Sequence, residues 1–215
     1  MSLPARRHPL ALVLVLALAA LPLPAWLALP AGMSVPGAAH AAVGSVTRFG
    51  TTLARACYVA ADTHQRSLEG LRMCDSALAE EPLNVSDRAA THVNRGILRV
   101  LAQDFDAAKA DYDTAVRLQP ELGEAYVNRG LMYVRQPGKE QLAIDDITKG
   151  LALGTREPAV AHYGRALAFE AVGRVAEAYH ELRKAAELAP TWTAPTNELT
   201  RFTVTRGADA GTATP

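Results

Sequence analysis

The sequence carries no excess charge of either sign: 22 lysines and arginines stand against 22 aspartates and glutamates. A nucleic-acid binder usually shows a clear basic surplus, so the balance argues against one. Aromatic residues are scarce, at 6%, although 49% of the chain is hydrophobic. Alanine and leucine supply most of that apolar surface, which favours helices over a β-sandwich. Chemistry-bearing motifs are missing as well. There is no nucleophile-elbow phrase, no phosphate-binding glycine loop and no zinc spacing. No catalytic residue, metal ligand, cofactor or small-molecule substrate is therefore expected. Only two cysteines occur, Cys57 and Cys74. The 215 residues are enough for one domain of ordinary size.

What is present begins with a leader-like segment. Arg6, Arg7 and His8 precede the continuous apolar run Leu10 to Leu21, "LALVLVLALAAL". A stretch rich in proline, alanine and glycine follows, and Ala39-His40-Ala41 fits the small-x-small rule of signal peptidase. Residues 1–41 read as a secretory signal peptide cleaved after Ala41, followed by a linker over 42–50. The alternative is an uncleaved N-terminal membrane anchor, since Leu10 to Leu29 is nearly long enough to span a bilayer. Pro22 and Pro24 cut that helix short and favour cleavage. Export to a periplasm or the cell exterior makes a disulfide chemically permissible. Cleavage leaves 20 basic against 22 acidic residues, because the segment holds two arginines and no acids.

The strongest signal is a phrase that returns. "VNRG" stands at Val93–Gly96 and again 34 residues later at Val127–Gly130; "HYGRA" at His162–Ala166 is a blurred third copy. Aligning on it gives units 89–122, 123–158 and 159–192. Each reads as two helices around a turn, marked by Gln103-Asp104, Pro137-Gly138 and Gly173. Pro120 and Pro190 close second helices.

In these units the chain resembles a tetratricopeptide repeat (TPR) protein. That family wants a large residue at position 4, small at 8, large at 11, alanine at 20, large at 24, alanine at 27 and proline at 32. The first unit offers His92, Gly96, Arg99, Ala108, Tyr112, Ala115 and Pro120. The second, with one extra residue at its turn, offers Tyr126, Gly130, Tyr133, Ala143, Ile147, Gly150 and Thr155. The third offers His162, Ala166, Phe169, Ala178, Leu182, Ala185 and Pro190. Arg99, Gly150 and Thr155 depart from the pattern and should weaken single positions. The resemblance implies an all-α fold: a right-handed superhelical solenoid of antiparallel helix pairs. It would hold about three good repeats and a degenerate one over 51–84. Val85–Arg88 would separate that unit from the next, with Ser86 as N-cap. A capping helix is expected over 193–203 and a disordered tail over 204–215.

Position in the repeat assigns further roles. Arg95, Arg129 and Arg165 all fall at position 7; Asp111, Asp146 and Glu181 all fall at position 23. Each arginine is on a first helix and each acid on the facing second helix, so they are expected to pair within a unit. His92 and His162, both at position 4, read as imidazoles packed between helices, because no second ligand is spaced to join them. In the degenerate unit, Cys57 takes position 7 and Cys74 position 24, nearly the place of an Arg–acid pair. They are expected to form a disulfide worth about 3 kcal/mol, the alternative being two buried free thiols.

In the TPR family the first helices line a concave groove that binds peptides or partner helices. Here the groove positions give Val93, Asn94, Ile97, Val127, Asn128, Leu131, Arg135, Tyr163 and Leu167. The basic clamp that some TPR domains use for a C-terminal carboxylate does not match, because Val93, Val127 and Ile97 stand where it needs lysine or asparagine. The expected function is a protein-binding scaffold or adaptor of the cell envelope, not an enzyme. The alternatives are a self-associating structural protein, with a second copy as homo-oligomeric partner, or an accessory subunit of an envelope enzyme.

Overall fold

The computed structural model describes residues 52–64 and 68–202. The expected signal peptide, the linker and the tail over 204–215 lie outside the described residues. Within them the chain is all helical. The elements are α1 (Leu53–Asp62), α2 (Leu68–Glu80), α3 (Val85–Leu101), α4 (Phe105–Leu118), α5 (Gly123–Val134), α6 (Glu140–Ala152), α7 (Pro158–Ala171), α8 (Val175–Leu188) and α9 (Thr193–Leu199). No strand occurs among the described residues. No helix among them is long and apolar enough to cross a membrane.

Packing runs along the chain. The most extensive contacts join α1 to α2, α3 to α4, α5 to α6 and α7 to α8. Each pair also meets the next, through α2 with α3, α4 with α5, α6 with α7 and α8 with α9. First helices touch too: α1 with α3, α3 with α5 and α5 with α7.

Small residues set these distances. Gly96 on α3 receives the ring of Tyr112 on α4: a Cβ there would lie 2.5 Å from Tyr112 Cε1. Gly130 on α5 does the same for Ile147 on α6, with a Cβ 2.6 Å from its Cγ1. In these two units the large residue at position 24 thus sits in the notch left at position 8, and in the third Leu182 packs in one cluster with Ala166. Tyr112, Ile147 and Leu182 are all essentially buried in consequence.

Helix ends follow local chemistry. After α3 the chain closes through Asp104 N donating to Arg99 O, 2.9 Å, with Gln103 in the left-handed region at φ 64. After α7, Arg174 N donates to Phe169 O, 2.8 Å, with Gly173 at φ 77. The bond from N–H to the carbonyl five residues back satisfies an otherwise orphaned helix end. Glutamine accomplishes at 103 what glycine does at 173, at greater conformational cost.

Two boundaries differ from expectation. The N-cap of α3 is Asn84, whose side chain accepts from Asp87 N at 2.8 Å, and not Ser86. Val85–Arg88 are therefore the first turn of α3 and not a separator. Asp87 then suits that turn electrostatically, and its carboxylate accepts from Asn84 Nδ2, also at 2.8 Å. The final helix ends at Leu199, short of residue 203. It nevertheless covers the last pair: Trp192, Leu199 and Phe202 pack on Tyr163, Ala166, Leu182 and Ala185.

Candidate functional site

Three guanidinium groups organise the interface between pairs. Arg95 on α3 grips Asp111 on α4, with Nη2 2.7 Å from Oδ1 and Nε 3.0 Å from Oδ2. Arg129 on α5 grips Asp146 on α6 through Nε at 2.7 Å and Nη2 at 2.8 Å. Arg165 on α7 grips Glu181 on α8 through Nε at 2.9 Å and Nη2 at 2.8 Å. All six residues named for pairing are thus brought together, two by two. A planar fork on a carboxylate fixes direction as well as distance, which a lysine would not do.

The third nitrogen of each fork reaches backwards. Arg95 Nη1 donates to Asp75 on α2 at 2.7 Å. Arg129 Nη1 donates to Asp113 on α4 at 2.7 Å. Arg165 Nη1 donates to Thr148 Oγ1 on α6 at 3.0 Å. All three acceptors occupy alignment position 25 of the preceding unit. One side chain therefore ties the two helices of its own pair and ties that pair to the one before. The alignment held this signal, since position 25 is an oxygen-bearing residue in each preceding unit.

The histidines belong to the same clusters. His92 Nδ1 lies 2.8 Å from Asp111 Oδ1, and His162 Nδ1 lies 2.8 Å from Glu181 Oε2. Both are packed between helices, each against the acid its arginine holds. Arg99 joins as well, donating to Asp111 Oδ2 at 2.7 Å and to the carbonyl of Ala107 at 3.2 Å. The departure from a large apolar residue at position 11 thus supplies a second arginine to a buried carboxylate. Thr155 is also used: it is buried, and its N–H donates to Gly150 O at 3.2 Å to close α6.

Burial by itself would push the Asp111 carboxyl up, but hydrogen bonds from His92 and Arg95 and the charges of Arg95 and Arg99 outweigh it and hold it below the usual range. The same opposition depresses Asp113, through Lys109 and Arg129, and Glu181, through His162 and Arg165. A hydrogen bond to Asp146 is the largest influence raising the Arg129 guanidinium. For Arg95 desolvation is largest and opposes ionisation, yet Asp111 and Asp75 overcome it. A carboxyl with a depressed folded pKa adds stability above its unfolded pKa of about 4, and that stability is lost as pH falls through the lower folded value. The melting temperature should therefore hold level from these groups above about pH 5 and fall below about pH 4. In Asp111→Asn the acid limb should be shallower, and parallel limbs in the two chains would contradict the assignment.

The groove residues need correction. Val93, Asn94, Val127, Asn128 and Tyr163 are buried, none more than 8% exposed, and do not face an open surface. The cause is close stacking of first helices, which lays each pair over the inner positions of its neighbour. Val127 packs with Ile147 and Ala161. Tyr163 lies against Trp192, with ring centroids 4.9 Å apart. Asn128 Nδ2 donates to Glu124 O at 2.9 Å, within its own helix. Asn94 Oδ1 is buried without an acceptor's partner. Ile97, Leu131, Arg135 and Leu167 are half-buried. Leu131 seats its side chain against Gly164 on α7, and Arg135 lies over the ring of Phe105, 5.5 Å from its centroid. Half-buried apolar residues on the first helices include Ile97, Val100, Leu131, Val134 and Leu167.

At the other end of the described chain, Cys57 on α1 and Cys74 on α2 form a disulfide, with Cα atoms 4.7 Å apart and both residues 0% exposed. No cluster of three metal-ligating side chains occurs among the described residues. No family model matches the chain, and no curated protein matches it.

Proposed function

We propose that the chain is an exported TPR-type adaptor that binds a peptide or partner helix along its first helices. The observation that carries this reading is the charge ladder. In three successive helix pairs, an arginine at one alignment position holds the acid of its own pair and an oxygen of the pair before. Such a linkage repeats the same step from pair to pair, as a solenoid requires. Export is supported by the leader-like first 41 residues and by a disulfide, which persists in oxidising compartments. The binding surface in this reading uses the half-buried apolar residues of the first helices, such as Val100 and Leu167, not the buried asparagines.

The test is site-specific photocrosslinking in the producing cell. A photoreactive residue at Val100 or Leu167 is expected to give an adduct of one discrete mass, and the same residue at Arg183 on exposed α8 none. Equal labelling at all three positions would sink the reading. An adduct of twice the chain mass, formed with purified protein alone, would favour the self-associating alternative.

A further inference from the structure

We propose that the Cys57–Cys74 bond is a redox latch for α1: its reduction releases α1 while α2 and the helices beyond it stay in place. The inference does not depend on what the chain binds. Every later pair has an arginine at position 7 and an acid at position 23; the first has Cys57 and Met73 there. The disulfide stands in for the missing ion pair. Its partner helix is weak by itself. α1 has ten residues and buries only Ala54, Cys57, Ala60 and Ala61. Isolated helices of that length are marginal in water. Beyond the disulfide, α1 rests on α3 through small apolar contacts, and the Glu81 carboxylate accepts from Leu53 N and Ala54 N.

α2 is anchored differently. Arg95 on α3 donates to Asp75 at 2.7 Å, and Arg88 on α3 donates to the carbonyl of Leu78 at 2.9 Å. Neither bond involves sulfur, so breaking the disulfide leaves α2 held. What α1 uncovers is apolar: Leu98 lies buried beneath it, with Leu71, Met73, Ile97 and Leu101 around.

The exchange balances with a dithiol as reductant. One thiolate attacks a cysteine sulfur, giving a mixed disulfide, and the other cysteine leaves as thiolate and takes up a proton. The second thiol then displaces the remaining cysteine, so the reductant ends as a disulfide and the chain gains two thiols. Both sulfurs are closed to solvent, so the attack requires α1 to lift first. A link between residues 17 apart suppresses that opening. The expected suppression is about a hundredfold.

Hydrogen exchange on the full chain, with and without dithiothreitol, tests this. Reduction is verified by the mass gain of two hydrogens. Protection over Leu53–Asp62 should fall about a hundredfold, while Leu68–Glu80 and α5 to α8 stay unchanged. Reoxidation should restore it. Unchanged α1 protection in the fully reduced chain overturns the latch. So does joint loss of protection in α1 and α5 to α8, which would make the bond a staple of the whole fold. Resistance of the native bond to reductant that cleaves it in urea also overturns it, because α1 would then never lift. The chain with Cys57→Ser and Cys74→Ser should show the reduced pattern without reductant; should it fail to fold, the reductant arms on the native chain decide alone.

Discussion

Asp111→Ala is expected to destabilise the fold by about 3–5 kcal/mol, lowering the melting temperature by on the order of 10 °C. Asp111 is 2% exposed and receives Arg95, Arg99 and His92 at 2.7–2.8 Å. Removing it leaves two guanidinium groups in a half-buried interface with one remaining carboxylate, Asp75 on Arg95, and only the Ala107 carbonyl on Arg99. The penalty comes chiefly from those stranded cations, not from the lost attraction. Asp113→Ala is the natural comparison. Asp113 is 28% exposed, and Arg129 would still hold Asp146. Its loss should cost no more than about 1 kcal/mol. Circular dichroism during urea titration reads both changes. A double-mutant cycle of Arg95→Ala with Asp111→Ala should show coupling of roughly 1–3 kcal/mol, and additive losses would remove the pair from the account.

The helix pairs were legible because proline, glycine and the 34-residue return act locally. A turn at Gln103-Asp104 or Gly173 depends on a few neighbouring residues, and those are in view. Which helix faces each position-7 arginine was also legible, since both partners belong to one unit. Contacts between units were harder. Asp75, Asp113 and Thr148 share position 25, but nothing within one unit says how closely the next one stacks. The same missing distance explains the groove. Val93 and Tyr163 look outward on a single helix pair, and only the neighbouring first helix or Trp192 closes over them. His92 and His162 lie between helices as their shared repeat position implies, whereas their contacts with Asp111 and Glu181 depend on cross-helix geometry. The Cys57–Cys74 pairing rests on position in a degenerate unit, where the sequence favours a disulfide but also admits two buried free thiols; the bond is formed.

Gly150 shows how a departure from pattern can be compensated within its own unit. Positions 1 and 27 are Ala89 and Ala115 in one unit and Ala159 and Ala185 in another, but Gly123 and Gly150 in the middle unit, where the two meet. Both glycines are buried, and α5 and α6 meet there backbone to backbone. A Cβ at 150 would lie 2.8 Å from Gly123 O and 3.1 Å from Val127 N, and 2.5 Å from Val127 Cγ2. The valine methyl can turn aside, whereas the carbonyl and amide belong to the α5 backbone and cannot. Helix propensity alone would make Gly150→Ala stabilising by about 1 kcal/mol. Overpacking against backbone, at the upper end of about 3 kcal/mol, should outweigh that and leave a net loss of roughly 1–2 kcal/mol. Gly123→Ala should also lose stability, because its Cβ would meet Gly150 O at 2.9 Å. The reverse change, Ala115→Gly in α4, meets no such conflict and should cost the propensity difference plus one buried methyl, together roughly 2 kcal/mol. Urea midpoints of the three variants separate the two influences. A Gly150→Ala chain more stable than its parent would show that propensity governs the site and that the helices can part without penalty.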